Sequence, residues 1–202
     1  MNSILAFLIL CTVHTAVLGE HYKCNSCHGR DSENCEGEEI LCPEGSACMT
    51  VSEEINILGY TFHSIFKRCA LNLPCNKLSR TFVSSDNYML LSTECCEGDL
   101  CNSGGFNMPY DNSEHLGPEC PACFEINTLG GCEADIATIC PGTDDKCLNL
   151  VGTVLKPDGV KADFSAQGCV SPDLSHSDYT SLAGLAFYSY NQNYYDPPAT
   201  VV

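Results

Sequence analysis

The stretch TECCEGDLCN, residues 93–102, decides the fold. Its adjacent Cys95 and Cys96, followed by Cys101 and then Asn102, close a series of ten cysteines that runs Cys24-x2-Cys27-x7-Cys35-x6-Cys42-x5-Cys48-x20-Cys69-x5-Cys75-x19-Cys95-Cys96-x4-Cys101. Ten cysteines in fewer than eighty residues, with Gly, Pro, Asn and Ser between them, describe a chain held by covalent staples around a small core.

Downstream the same order begins again as Cys120-x2-Cys123-x8-Cys132-x7-Cys140-x6-Cys147-x21-Cys169. Six cysteines match the first six of the upstream series with every gap within one residue, and Cys42-Pro43 answers Cys140-Pro141, so the chain carries an internal repeat. Between the copies, residues 103–119 (SGGFNMPYDNSEHLGPE) lack apolar alternation and read as a linker. Residues 20–102 form module one and residues 120–170 module two. Each is small enough for its stability to rest on its bridges, each contributing roughly 2–4 kcal/mol.

The compartment follows from the N-terminal residues. Residues 1–19 hold an apolar run from Ile4 to Cys11, no charged side chain and small residues before Glu20, the pattern of a secretory signal peptide. The run is interrupted at Thr12, His14 and Thr15 and is shorter than the roughly 20 residues that span a bilayer. Of 17 cysteines, Cys11 leaves with that segment and sixteen remain, an even number in a chain bound for an oxidising compartment. The pairs Cys24-x-x-Cys27 and Cys120-x-x-Cys123 have zinc-site spacing as well, but secretion favours disulfides over metal, and no metal or cofactor is expected.

With 9 basic and 26 acidic residues the formal charge is −17. Nucleic acid and anionic membranes are therefore disfavoured partners, and a basic extracellular protein is favoured.

Local patterns read as hairpins. Residues 47–53 and 61–67 are β-rich runs around a turn at 56–59, and Tyr88 to Thr93 supplies another strand. In module two, residues 148–155 and 160–164 flank Lys156-Pro157-Asp158-Gly159, a turn whose proline and glycine supply the required angles. No stretch shows an amphipathic helical period with caps, so the protein is expected to be mainly β, small and disulfide-rich.

The ten-cysteine arrangement ending in Cys95-Cys96-x4-Cys101-Asn102 resembles the three-finger domain of the urokinase-receptor and lymphocyte-antigen-6 superfamily. The resemblance implies the bridges Cys24 with Cys48, Cys27 with Cys35, Cys42 with Cys69, Cys75 with Cys95 and Cys96 with Cys101, and in module two Cys120 with Cys147, Cys123 with Cys132 and Cys140 with Cys169. It also implies that the Asn102 amide ties the chain to neighbouring strands. Two secreted modules in tandem look most like gamma-type phospholipase A2 inhibitors and the related sodefrin-precursor-like pheromone proteins, over residues 22–170.

The chain departs from this family after Gly168-Cys169-Val170, where four further cysteines and a third finger would follow. Residues 171–202 contain no cysteine, so module two is expected to lack its third finger, to be the weaker module and to end in a divergent, poorly ordered tail. A strand from Leu182 to Tyr190 on the edge of finger two is the lesser alternative. The apolar run Leu182 to Phe187 is six residues long and is followed by the polar YSYNQNYYDPP, so no membrane anchor is expected.

Catalysis finds no support. The six histidines are scattered, no nucleophile motif occurs, and the acidic stretch from Asp31 to Glu39 lacks the periodicity of a calcium loop. No Asn-x-Ser/Thr sequon is present. A non-enzymatic binding scaffold remains, with loops on a rigid frame as contacts. Candidate contacts are Ile57, Leu58 and Tyr60 at one fingertip, residues 81–87 at the tip of finger three, and Phe106, Met108, Pro109 and Tyr110 in the linker. The family resemblance points first to an inhibitor that binds a basic secreted phospholipase A2, and secondly to a signalling or pheromone-like protein that binds a receptor.

Overall fold

The computed structural model describes residues 21–57, 59–71, 75–109, 116–155, 160–175 and 186–195. The expected signal segment, Leu58, Tyr110 and the turn expected at 156–159 lie outside them. The described chain is almost all antiparallel β. Module one contributes finger one, β1 (Lys23–Gly29) and β2 (Glu38–Leu41); finger two, β3 (Ala47–Ile57) and β4 (Tyr60–Ala70); and finger three, β5 (Lys77–Ser84) and β6 (Asn87–Cys96). Module two repeats finger one as β7 (Glu119–Ile126) and β8 (Ile136–Ile139), and finger two as β9 (Lys146–Leu155) and β10 (Lys161–Val170). The last strand, β11 (Ala186–Tyr195), comes from the tail.

Covalent geometry explains why such short strands hold. The bridges are Cys24–Cys48, Cys27–Cys35, Cys42–Cys69, Cys75–Cys95 and Cys96–Cys101 in module one, and Cys120–Cys147, Cys123–Cys132 and Cys140–Cys169 in module two. Cys24, Cys42 and Cys48 pack as a buried knot at the base of the first three fingers, and Cys120, Cys140, Cys147 and Cys169 do so in the second module.

Asn102 closes the first knot with hydrogen bonds. Its Oδ1 accepts the Asn25 backbone N–H at 2.9 Å, while its Nδ2 donates to the carbonyls of Asn25 at 3.0 Å and Met49 at 3.2 Å. The side chain is 3% exposed, so these bonds satisfy an amide that has little access to water.

The modules do not sit apart like beads. β10 pairs with β5, Cys169 opposite Phe82 and Val170 opposite Thr81, and the sheet runs on in the order β11-β9-β10-β5-β6-β3-β4-β1-β2. One core cluster draws on both halves. It joins Met49, Val51, Ile55, Met89 and Leu91 to Leu148, Leu150, Val170 and Leu174. Phe82 also packs against the cysteine knot of module two, and Val83 against Ala122 and Ala166. A module this small buries little apolar surface by itself, and the shared cluster adds to what each can bury.

Gly168 makes the seam possible. A Cβ there would collide with the Phe82 carbonyl oxygen and come within 3.0 Å of the Val83 Cα, both rigid backbone atoms. Gly168→Ala is therefore expected to push β10 off β5 at a cost of about 1–3 kcal/mol, the usual range for overpacking. Chemical denaturation read by near-ultraviolet circular dichroism checks this, and an unchanged midpoint counts against a tight seam.

Within the tail, residues 186–195 follow the lesser alternative, a strand on the edge of finger two, displaced toward the C-terminus from the 182–190 range expected for it. β11 pairs antiparallel with β9 from Ala186 opposite Leu155 to Tyr195 opposite Cys147, with an irregularity between Phe187 and Ser189. In module one β6 occupies the same place on β3, with Cys96 opposite Cys48. The tail thus fills the position of one third-finger strand, with Tyr194 and Tyr195 at the register of Cys95 and Cys96. The physical reason is the row of backbone donors and acceptors along β9, for which a tyrosine- and phenylalanine-bearing segment of suitable β propensity is available in the same chain. A counterpart of β5, which would pair with β11, is absent from module two among the described residues; β5 itself meets module two at β10.

Candidate binding surface

Finger two ends in a turn that is specified locally. Asn56 and Gly59 hold it, the Gly59 N–H donating to Asn56 Oδ1 at 3.0 Å, with Gly59 at φ +81°, a backbone angle that glycine adopts without strain. The Asn56 Nδ2 donates to Thr61 Oγ1 at 3.2 Å. Of the contacts expected at this tip, Tyr60 is 72% exposed, whereas Ile57 is half-buried against the shared core.

The linker residues divide in the same way. Phe106 stacks on the imidazole of His63, with centroids 4.6 Å apart, and its N–H donates to the Glu33 carbonyl at 2.8 Å. Its neighbour Asn107 donates its backbone N–H to Ser52 Oγ at 2.9 Å and its side-chain amide to Glu94. Lys67 Nζ, buried between fingers one and two, donates to Asn34 Oδ1 at 3.2 Å and to the Ser103 carbonyl at 3.3 Å, and burial lowers its pKa. Residues 103–109 are therefore fastened to module one rather than strung between modules. Met108 is half-buried and Pro109 is exposed.

His63 anchors a polar cluster beneath Phe106. Its two ring nitrogens each lie 3.2 Å from a carboxylate, Nδ1 from Glu33 and Nε2 from Glu54, and the Tyr88 hydroxyl donates to the other Glu54 oxygen at 2.9 Å. Burial, and then the hydrogen bond and charge of Glu54, raise the Tyr88 pKa. The two carboxylates meet opposite edges of the imidazole, a geometry that clamps the ring and suits no shared metal ion.

Residues 81–87 are diverted from the contact role expected of them. Thr81 and Val83 are buried in the seam with module two, and of that tip Ser85 and Asp86 alone are exposed. The sequence could not foretell this, because the edge that β5 pairs with belongs to another module. Exposed apolar groups not foreseen from the sequence include Ile126, Leu129, Ile136 and Ile139 in finger one of module two. The uncharged run Ile136-Ala137-Thr138-Ile139 was the available signal for the β8 part of this surface.

The sulfur atoms invite a metal reading as well. Cys24, Cys42 and Cys69 approach one another within 4.8 Å, as do Cys120, Cys140 and Cys169. Every one of them is already in a disulfide, so none offers the thiolate a zinc ion requires. No helix among the described residues is long and apolar enough to cross a membrane.

The paired knots, the fingers and the repeat agree with a comparison against protein families, in which the u-PAR/Ly-6 domain matches twice, at residues 20–104 and 116–196. The chain belongs to the u-PAR/Ly-6 family. The second match runs through β11, the strand that holds the third-finger position.

Relatives within the family are inhibitors by name. The chain is 31% identical to phospholipase A2 inhibitor CNF of Crotalus durissus terrificus over 183 residues, covering 87% of this chain and 84% of the relative. It is 30% identical to phospholipase A2 inhibitor PIP of Malayopython reticulatus over 159 residues, 76% and 75% of the two chains. Phospholipase A2 inhibitor NAI of Notechis ater is 28% identical over 171 residues, 81% of each. Among solved structures, mouse TEX101 aligns over 86% of this chain and 99% of its own, at 14% identity and a TM-score of 0.38.

Proposed function

We propose that the protein is a secreted, non-enzymatic inhibitor of phospholipase A2 that acts by binding the enzyme and occluding it. The observation that carries this reading is identity of about 30% with several phospholipase A2 inhibitors over most of both chains. The eight disulfides support an oxidising, extracellular setting. The charge of −17 supports a basic enzyme as the partner, since complementary fields speed association and select against acidic isoforms. A receptor-binding, pheromone-like role has no comparable observation in its favour. Of the contacts expected at the fingertip and linker, we infer that Tyr60 and Pro109 face a partner, while Ile57 and Phe106 support the surface from beneath.

Titration of the disulfide-bonded protein into assays of basic and acidic secreted phospholipases A2 tests the reading. Inhibition of basic enzymes is expected at micromolar protein or below, and it should weaken as salt shortens the screening length from about 10 Å at 0.1 M to about 3 Å at 1 M. Failure to inhibit any enzyme of the panel would sink the proposal.

A further inference from the structure

Finger one of module two combines three features that finger one of module one does not. The first is a strand edge without charge. Ile136, Ala137 and Thr138 of β8 pair through β7 alone among the described residues, and no charged side chain lies in the strand. Its counterpart in module one, β2, carries Glu38 and Glu39, the kind of charge that keeps an edge from recruiting another strand.

The second feature is apolar exposure on one face. Ile136 lies across from Ala122, and alternation along β7 sets Phe124 and Ile126 on the same side as Ala122. Ala122 is buried against Val83 and Ala166, but Ile136 is 65% and Ile126 40% exposed, and Leu129 at the fingertip is 56% exposed. The third feature is the charge of the segment itself. Residues 116–145 include Glu119, Glu125, Glu133, Asp135, Asp144 and Asp145 and no lysine or arginine.

We propose that this finger is a docking surface for an extended, lysine- or arginine-flanked strand of a cationic protein, which adds to the β8 edge and sets an apolar side chain beside Ile136. Strand addition draws affinity from main-chain hydrogen bonds and specificity from alternate side chains, and both elements are present here. A second copy of this chain is a poor occupant, because it would bring the same acidic surroundings to the contact. The surface gives the proposed inhibitor a place to meet its enzyme, and it rests on that reading for the partner's identity.

The test uses the full disulfide-bonded chain and two probes. The first is a synthetic peptide of alternating lysine and valine, with a glutamate-valine peptide as its opposite. The lysine peptide should bind, slow hydrogen exchange at those β8 amides that face away from β7, and lose at least about tenfold in affinity to Ile136→Lys. Leu41→Lys, at an equally exposed position on the edge of module one, should leave binding unchanged. Failure of the lysine peptide to bind, equal binding of the glutamate peptide, no slowing at β8, or equal affinity in Ile136→Lys each overturns the surface. The second probe is any basic phospholipase A2 that the wild type inhibits. Inhibition undiminished in Ile136→Lys overturns the surface and leaves the inhibitor reading standing, whereas absence of inhibition across the panel removes that reading and leaves the peptide result to decide the surface.

Discussion

Leu148→Ala is expected to loosen both modules at once. Leu148 is fully buried in a cluster that includes Met49, Val51 and Leu91 from module one, so truncating it opens a cavity at the junction rather than inside module two. Leucine-to-alanine changes at such sites cost about 2–5 kcal/mol, the removed side chain's transfer energy plus that of the residual void. That is a large part of the stability of a small domain. The distinguishing result is where the loss is felt: hydrogen exchange should quicken in β3 and β6 as well as in β9 and β10, and unfolding should stay a single transition. Quickening confined to β9 and β10 would show two modules that fold independently and merely touch.

Deleting residues 176–202 should have an effect of similar size with a different signature. It removes β11 and strips the ladder from one side of β9, from Cys147 to Leu155. With each ladder hydrogen bond contributing about 1 kcal/mol net, the loss amounts to several kcal/mol. Amides of β9 that face β11 should lose protection while those that face β10 keep it, since that pairing spans ten positions and both strands are tied to finger one, β9 by Cys120–Cys147 and β10 by Cys140–Cys169. The uncovered edge should also favour association, most visibly at high salt, where the repulsion between acidic chains is screened. Unchanged exchange at β9 would mean that β11 adds nothing to module two. The equivalent strand of module one, β6, is held by Cys75–Cys95 and Cys96–Cys101 through two of its own residues, whereas β11 contains no cysteine.

Contacts on the surface divide for the same reason that the core is shared. Phe106 looks like a linker aromatic free to meet a partner, yet it lies on His63, whose ring is clamped between Glu33 and Glu54. Val83 looks like part of a fingertip, yet it fills a gap beside Ala122 and Ala166. In both cases a locally plausible ligand contact is consumed by a segment far away in sequence.

The sequence by itself determined the modules, their order and their β character. Cysteine spacing within one residue between copies constrains which loops close, and the turn chemistry at Asn56 and Gly59 and the β-rich runs beside it act over a few residues, so they are legible without a fold. Only the tertiary structure decided what happens at strand edges. The segment at 186–195 offers a strand in sequence only as a lesser reading, and it becomes one because β9 presents a ladder of backbone groups to receive it. The pairing of β10 with β5 likewise rests on Gly168 meeting Phe82 and Val83 across a gap of some eighty residues, a contact that depends on the absence of one Cβ atom and on the approach of two modules, which spacing alone does not encode.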